Sequence, residues 1–197
     1  MIALAIAENW QEAGGKLLGA NAFPVQPTDG AARVAFVSST ASPNVTRAER
    51  LTLLTIAAAH ERLWISNAYF VPSKDVIEML KRKAAAGVDV RILVPDEHDD
   101  SKIALVAQRR LYPQLAAAGI RVWEYQPSMI HSKTMIVDDH LSVIGSINMD
   151  PLSLNKLDEG AVVIDDAAFA EGMARSFLED CTHAKLEAGK PLRGVAP

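Results

Sequence analysis

Residues 131–150 read HSKTMIVDDHLSVIGSINMD, and this stretch decides the fold. Two short apolar runs, residues 133–137 and 141–144, flank the polar triplet Asp138-Asp139-His140. Runs of this kind on either side of a turn-forming triplet predict two antiparallel strands joined by a tight hairpin. Because side chains alternate along a strand, His131 and Lys133 at its start point to the same side.

Upstream of this hairpin the chain alternates between β-like and helical patterns. Gly87 and Gly119 each end a helical run, and Pro95 ends the strongest β-like run. Such alternation predicts an α/β fold, in which a mixed β-sheet has helices packed on both faces. The predicted strands are residues 34–38, 63–66, 88–94, 120–125, 133–137, 141–144 and 161–164, and the predicted helices are residues 47–59, 73–86, 102–118 and 167–184.

The N-terminal residues form a separate part in this interpretation. A helical run over residues 1–13 ends at Gly14-Gly15, and a connector containing glycine and proline follows over residues 19–30. We therefore expect an N-terminal helix and connector over residues 1–30 and a main domain over 31–197. The first seven residues are apolar but lack a basic flank, which argues against a signal peptide or a transmembrane segment and favours a cytoplasmic or peripheral membrane protein.

Composition and charge limit the possible functions without naming one. Hydrophobic residues at 49% and charged residues at 22% are typical of a soluble globular protein. A net charge of −4 disfavours a general electrostatic grip on nucleic acid, although a local basic pocket remains possible. The single Cys181 cannot form an internal disulfide bond and indicates no cysteine metal site.

The residues from 131 to 159 suit phosphoryl transfer. The imidazole of His131 can attack phosphorus, and the ammonium group of Lys133 can bind the negative oxygens. Ser146 and Asn148 follow the second strand of the hairpin, so they are expected beside that pair and can donate hydrogen bonds to growing charge. Gly145 before them permits close backbone approach.

These residues carry a resemblance to a known family. His131-x-Lys133, then Asp138 and then Gly145-Ser146-x-Asn148 resemble the HKD signature of the phospholipase D superfamily, whose fold is an αβα sandwich. The stretch Tyr69-Phe70-Val71-Pro72 and the segment Gly145–Asp150 resemble the C-terminal half of bacterial cardiolipin-synthase-type enzymes. This chain departs from that pattern at Leu152 and Leu157, where family members often have Arg and Asn.

The resemblance implies roles for individual residues. It places His131, Lys133, Asp138 and Glu159 in the catalytic set, and it assigns phosphate binding to Lys133, Ser146 and Asn148. His131 would be the nucleophile, or the general acid and base for a partner half, and Glu159 would orient it. Asp138 would position the hairpin without touching substrate. The mechanism implies no cofactor and no metal, since lysine takes the metal's place.

Other candidate groups have simpler explanations. His60, His98, His140 and His183 are expected to be surface or capping residues, and the pair Asp99-Asp100 resembles a metal site less than it resembles turn chemistry. The stretch 69–72 fits a strand end with core aromatics about as well as a loop facing substrate.

Family members combine two HKD motifs, and this chain supplies one. The second half would come from a homodimer or from an N-terminal half that the chain lacks; Glu8-Asn9-Trp10 and Gly14-Gly15 resemble the closing helix of a first repeat. The expected substrate is a phospholipid or another phosphodiester, handled through a phosphohistidine, with a membrane surface as a possible partner. The alternatives are an HKD-family endonuclease acting as a homodimer, for which nucleic acid is the partner, and a non-catalytic half-subunit.

Overall fold

The fold is built on one eight-stranded sheet, seen in a computed structural model that describes residues 2–19, 21–24, 30–42 and 45–189. Its strands lie in the order β1-β7-β6-β5-β2-β3-β4-β8. The elements are α1 (Ile2–Glu12), β1 (Arg33–Ser39), α2 (Arg47–Ala58), β2 (Arg62–Asn67), α3 (Lys74–Ala85), β3 (Asp89–Pro95), α4 (Lys102–Arg109), α5 (Tyr112–Ala117), β4 (Arg121–Tyr125), β5 (Lys133–Val137), β6 (Leu141–Gly145), α6 (Pro151–Asn155), β7 (Glu159–Asp165), α7 (Ala167–Thr182) and β8 (Ala184–Ala188).

Strand direction follows from the length of the connections. The neighbours β2, β3 and β4 are parallel, because a helical crossover connects β2 to β3 and another connects β3 to β4. The remaining neighbours are antiparallel, and the turn between β5 and β6 is the predicted tight hairpin. The sheet is therefore mixed, as the sequence predicted.

Hydrophobic cores lie on both faces of the sheet, which confirms the predicted layering. The larger core includes Ile56 of α2, Leu80 of α3 and Leu115 of α5, packed on the sheet residues of one face. On the other face α7 covers a smaller cluster, in which the rings of Trp64 and Phe177 stack with centroids 5.2 Å apart. No helix within the described ranges combines the length and the apolar character needed to cross a bilayer.

Three details differ from the sequence prediction. The single helix expected over residues 102–118 is two helices, because Pro113 has no N–H to donate to the fourth residue before it. The short helix α6 was not predicted; the Asp150 side chain caps it by accepting from the N–H groups of Leu152 and Ser153. The last helix ends at Thr182, and Ala184–Ala188 instead adds an unpredicted edge strand beside β4.

The predicted boundary between residues 1–30 and 31–197 stays a prediction. The helix α1 is present where the sequence placed it, and Ala5 on it is buried. Parts of the connector and the residues beyond 189 lie outside the described residues.

Candidate active site

Most of the predicted site residues lie where the strands β2 and β6 end and the strands β5 and β7 begin, on one side of the sheet. Asn67, the last residue of β2, pairs with Lys133, the first residue of β5, and Gly145 at the end of β6 pairs with Ala161 near the start of β7. The loops that enter and leave these strands therefore meet at the same edge. They bring His131, Lys133, Ser146, Asn148 and Glu159 together.

His131 and Lys133 contact each other directly. The ammonium Nζ of Lys133 lies 3.0 Å from Nδ1 of His131 and donates to the His131 carbonyl oxygen at 2.9 Å. Partial burial lowers the pKa of Lys133, and the negative charges of Glu159 and Asp100 oppose that effect. The imidazole itself is exposed to solvent. A cation and an accessible imidazole thus lie side by side, as attack on a phosphodiester requires.

A network of side chains centred on the buried Glu159 and Ser153 lies beside this pair. Glu159 is 8% exposed, and its Oε2 accepts from the hydroxyl of Ser146 while its Oε1 accepts from the hydroxyl of Ser153 at 2.6 Å. The amide Nδ2 of Asn148 donates to the same Ser153 hydroxyl at 3.1 Å. The amide oxygen of Asn148 is buried without a partner among the described residues. The carboxylate therefore fixes two of the three predicted phosphate-binding side chains, Ser146 directly and Asn148 through Ser153.

The expected contact from Glu159 to His131 is not formed within this part of the structure. Nδ1 of His131 faces the Lys133 ammonium group, and both oxygens of Glu159 face serine hydroxyls. In this arrangement Glu159 holds the loop after β6, and the imidazole of His131 contacts Lys133 instead.

Asp138 lies at the other end of β5 from His131. The strand has five residues, so at about 3.4 Å per residue its first and last Cα atoms are about 14 Å apart, and His131 and Asp138 lie beyond these two ends. The Asp138 carboxylate accepts from the backbone N–H groups of His60, Glu61 and Arg62, which lower its pKa. Its φ of 51° places it in the left-handed region of the turn. Asp138 therefore positions the hairpin and is too distant to contact the same phosphate as His131.

Gly145 is required by the close approach of β7. A Cβ at this position would lie 2.7 Å from the Cα of Ala161 and would also meet the backbone oxygen of Gly160. No larger residue fits without moving the strand. The absence of a side chain at Gly145 thus allows the end of β6, and Ser146 after it, to pack closely against β7.

Sequence reasoning missed two residues that hold the site. The buried Asn67 side chain accepts from the backbone N–H of Met149 at 3.0 Å and donates to the carbonyl of Ile147 at 3.3 Å, which fixes the loop carrying Asn148. Ser153, 1% exposed, links Asn148 to Glu159. The polar pair Ser66-Asn67 directly after the apolar run 63–65 was a signal for Asn67. Nothing in the sequence marked Ser153.

The four other histidines and the aromatic stretch are also placed. His60, His98, His140 and His183 are exposed, as expected, and His183 caps α7. Each interpretation of the stretch 69–72 holds for one aromatic residue. Phe70 is a fully buried core aromatic, whereas the ring of Tyr69 lies at 86° to that of His131 with centroids 6.1 Å apart.

A polar cleft of about 870 Å³ adjoins Glu159. It lies between α1, β1 and α2, and its lining includes the guanidinium groups of Arg47 and Arg50 and the carboxylates of Glu8 and Glu12. Cavities of this size accommodate small-molecule ligands. The site therefore has open polar space beside it.

Comparison with known proteins identifies the family. The family model described as "Cardiolipin synthase, PLD-like domain" matches residues 53–181. The chain belongs to this phospholipase D-like family. The cardiolipin synthase of Geobacillus kaustophilus is 36% identical to this phospholipase D-like domain over 138 residues, which are 70% of the chain and 27% of that protein. Cardiolipin synthase A of Pseudomonas putida is 33% identical over 179 residues, 91% of the chain and 37% of that protein.

The phospholipase D-like domain thus spans roughly a quarter to a third of the length of these curated relatives. Among solved structures, Nuc from Salmonella typhimurium, a phospholipase D family member, superposes with a TM-score of 0.67 at 22% identity. That match covers 80% of this chain and 99% of Nuc. The likeness to Nuc is one of fold, and it agrees with the αβα architecture expected from the sequence.

Proposed function

We propose that this phospholipase D-like domain supplies one half of a phosphatidyl-transfer site that acts on phospholipids through a phosphohistidine at His131. The observation that carries the proposal is the contact between His131 and Lys133 at an open sheet edge, with Ser146 and Asn148 held beside them. Cardiolipin synthases as relatives support a phospholipid substrate.

The chemistry begins with binding of the phosphodiester. The negative oxygens accept from the Lys133 ammonium group and from the Asn148 amide, which draws Lys133 Nζ away from the imidazole. A charged lysine can only donate, so in the free site Nδ1 of His131 accepts and the neutral ring carries its proton on Nε2. Release from Lys133 allows the proton to lie on Nδ1 and leaves the Nε2 lone pair free.

Transfer then takes two displacements. His131 Nε2 forms a bond to phosphorus while the bond to the first alcohol oxygen breaks, and a histidine of a second half donates the proton to that leaving oxygen. A second hydroxyl attacks the phosphohistidine, gives its proton to the same second histidine, and the P–N bond breaks. An alcohol yields a new phosphodiester, whereas water yields the hydrolysis product.

The second half can come from a second copy of the chain or from another HKD domain. The residues described here contain one HKD set, and the matched relatives are about 2.5 times as long as this chain. Size-exclusion chromatography combined with turnover assays tests this requirement. A monomer with one HKD motif and full activity contradicts it.

Substrate preference is tested with phosphatidylglycerol vesicles and plasmid DNA, each in EDTA. We expect transfer or hydrolysis on the vesicles and no cleavage of DNA. Cleavage of DNA alone would establish the endonuclease alternative. Turnover unchanged by His131→Ala in the assembled protein would establish the non-catalytic half-subunit. A peripheral membrane location follows from the proposal, and vesicle co-sedimentation checks it.

A further inference from the structure

Tyr69 lies against the reacting histidine because of strand order. It follows β2 by two residues, and the end of β2 pairs with the start of β5, which His131 precedes by two residues. The two rings meet at an interplanar angle of 86° with centroids 6.1 Å apart. This is the edge-to-face arrangement that aromatic rings prefer, and it places the phenol ring as a wall beside the imidazole.

The Tyr69 ring is fixed at its backbone end. The next residue, Phe70, is fully buried and forms an isolated parallel bridge with Met149. The N–H of Val71 donates to the Met149 carbonyl at 2.9 Å. The segment that carries Tyr69 is therefore bound to the same loop that carries Asn148.

The ring is also fixed at its hydroxyl end. The phenol hydroxyl donates to Oδ1 of Asp100 at 2.7 Å, and Asp100 lies in the loop after β3, the parallel neighbour of β2. The hydrogen bond to Asp100 raises the pKa of Tyr69 to about 12, so the phenol stays a donor at neutral pH. Restraint at both ends fixes the orientation of the Tyr69 ring beside His131.

We propose that Tyr69, held by Asp100, is a positioning residue that orients the imidazole of His131 for in-line attack on phosphorus. This rests on the proposed function. His131 is exposed, and its side-chain hydrogen bond is to Lys133, which the substrate draws away. The Tyr69 ring then restricts imidazole rotation. Small errors in the direction of an attacking atom lower rates by large factors.

Asp100 has a second effect on the same site. Together with Glu159 at the start of β7, its carboxylate favours the charged form of Lys133 against partial burial, and His131 is the remaining ionisable neighbour that contacts Nζ. Removing the Asp100 charge lowers the pKa of Lys133 further. Lys133 then loses its proton at a lower pH, and with it the site loses the positive charge that binds the phosphate.

The test uses the protein in its assembled form, phosphatidylglycerol vesicles as substrate, and the single-turnover rate of adduct formation at His131. Tyr69→Leu removes the ring, and Tyr69→Phe removes only the hydroxyl. We expect Tyr69→Leu to reduce the rate about 100-fold with vesicle affinity unchanged. Tyr69→Phe keeps the ring but loses the restraint from Asp100, so it should reduce the rate by a clearly smaller factor. Asp100→Asn should move the alkaline limb of the pH profile to lower pH. Tyr125→Phe, outside the site, is the matched control.

The outcomes separate a positioning role from a purely structural one. If Tyr69 only tied two loops together through its hydroxyl, Phe and Leu would lower the rate equally and in proportion to the loss of folded protein measured by circular dichroism; that result overturns the proposal. Wild-type rates in both variants also overturn it. If the wild-type protein itself forms no adduct with any phosphodiester, the proposed function fails first and this inference falls with it.

Discussion

Ser153 offers the sharpest stability test, because it joins two functional side chains inside the protein. Its hydroxyl donates to Glu159 Oε1 at 2.6 Å and accepts from Asn148 Nδ2 at 3.1 Å. Ser153→Ala removes both bonds and leaves a buried carboxylate oxygen and a partly buried amide group each without this partner. A hydrogen bond to a charged group contributes about 1.5 to 3 kcal/mol, so we expect a loss of about 2 kcal/mol in the free energy of unfolding.

The measurement is urea unfolding followed by circular dichroism, with thermal unfolding as a second readout. For a chain of this size a loss of about 2 kcal/mol lowers the Tm by about 4 to 8 °C. Adduct formation at His131 should slow as well, because Asn148 is no longer held.

Ser142→Ala is the matched control. Ser142 is equally buried, and its hydroxyl has no partner among the described residues, so its removal should change stability by less than about 0.5 kcal/mol or raise it. Equal urea midpoints for the two variants would refute the proposed role of the Ser153 network.

Three further predictions concern the scaffold and the cation. Asp138→Ala should destabilise the protein by about 2 kcal/mol while leaving the rate of the folded enzyme unchanged. The pKa of Asp138 is lowered in the folded state, so its contribution to stability is full above about pH 4 and is lost as pH falls through that lowered pKa. The urea midpoints of variant and wild type should therefore converge in acid. Gly145→Ala should cost about 1 to 3 kcal/mol in thermal unfolding, whereas Gly172→Ala on α7, whose Cβ meets nothing nearer than 3.9 Å, should be neutral or stabilising. Activity should be lost on the alkaline side below the ordinary lysine pKa, since that of Lys133 is lowered, and Lys133→Arg should move this limb upward in a pH-rate profile.

Local patterns were sufficient to predict most of the fold. The βαβ units and the hairpin at Asp138 depend on apolar periodicity and on turn residues close in sequence, so they could be inferred directly. The break before Pro113 is also a local signal, because proline lacks the backbone N–H that a continuous helix needs. The strand β8 could not be inferred in this way, because Ala184–Ala188 has mixed polarity and becomes a strand by pairing with the exposed edge of β4.

For the candidate site too, the residues close together in sequence could be predicted and the distant ones could not. His131, Lys133, Ser146 and Asn148 lie within one short segment, so their spacing carried the prediction. Asn67 reaches the site from the end of β2 and Asp100 from the loop after β3, and only the pairing of β2 with β3 and β5 brings them there. The expected orientation of His131 by Glu159 depended on side-chain directions, which two serine hydroxyls determine in the structure.

The most direct test of the central claim is to trap phosphate on His131. The assembled protein is mixed with a phospholipid labelled at its phosphodiester and quenched within one turnover. We predict a protein-bound label that is lost in acid, stable in base, mapped to the peptide containing His131, and absent from His131→Ala. A label retained by the alanine variant, or no adduct with any phosphodiester, would contradict a phosphohistidine at this site.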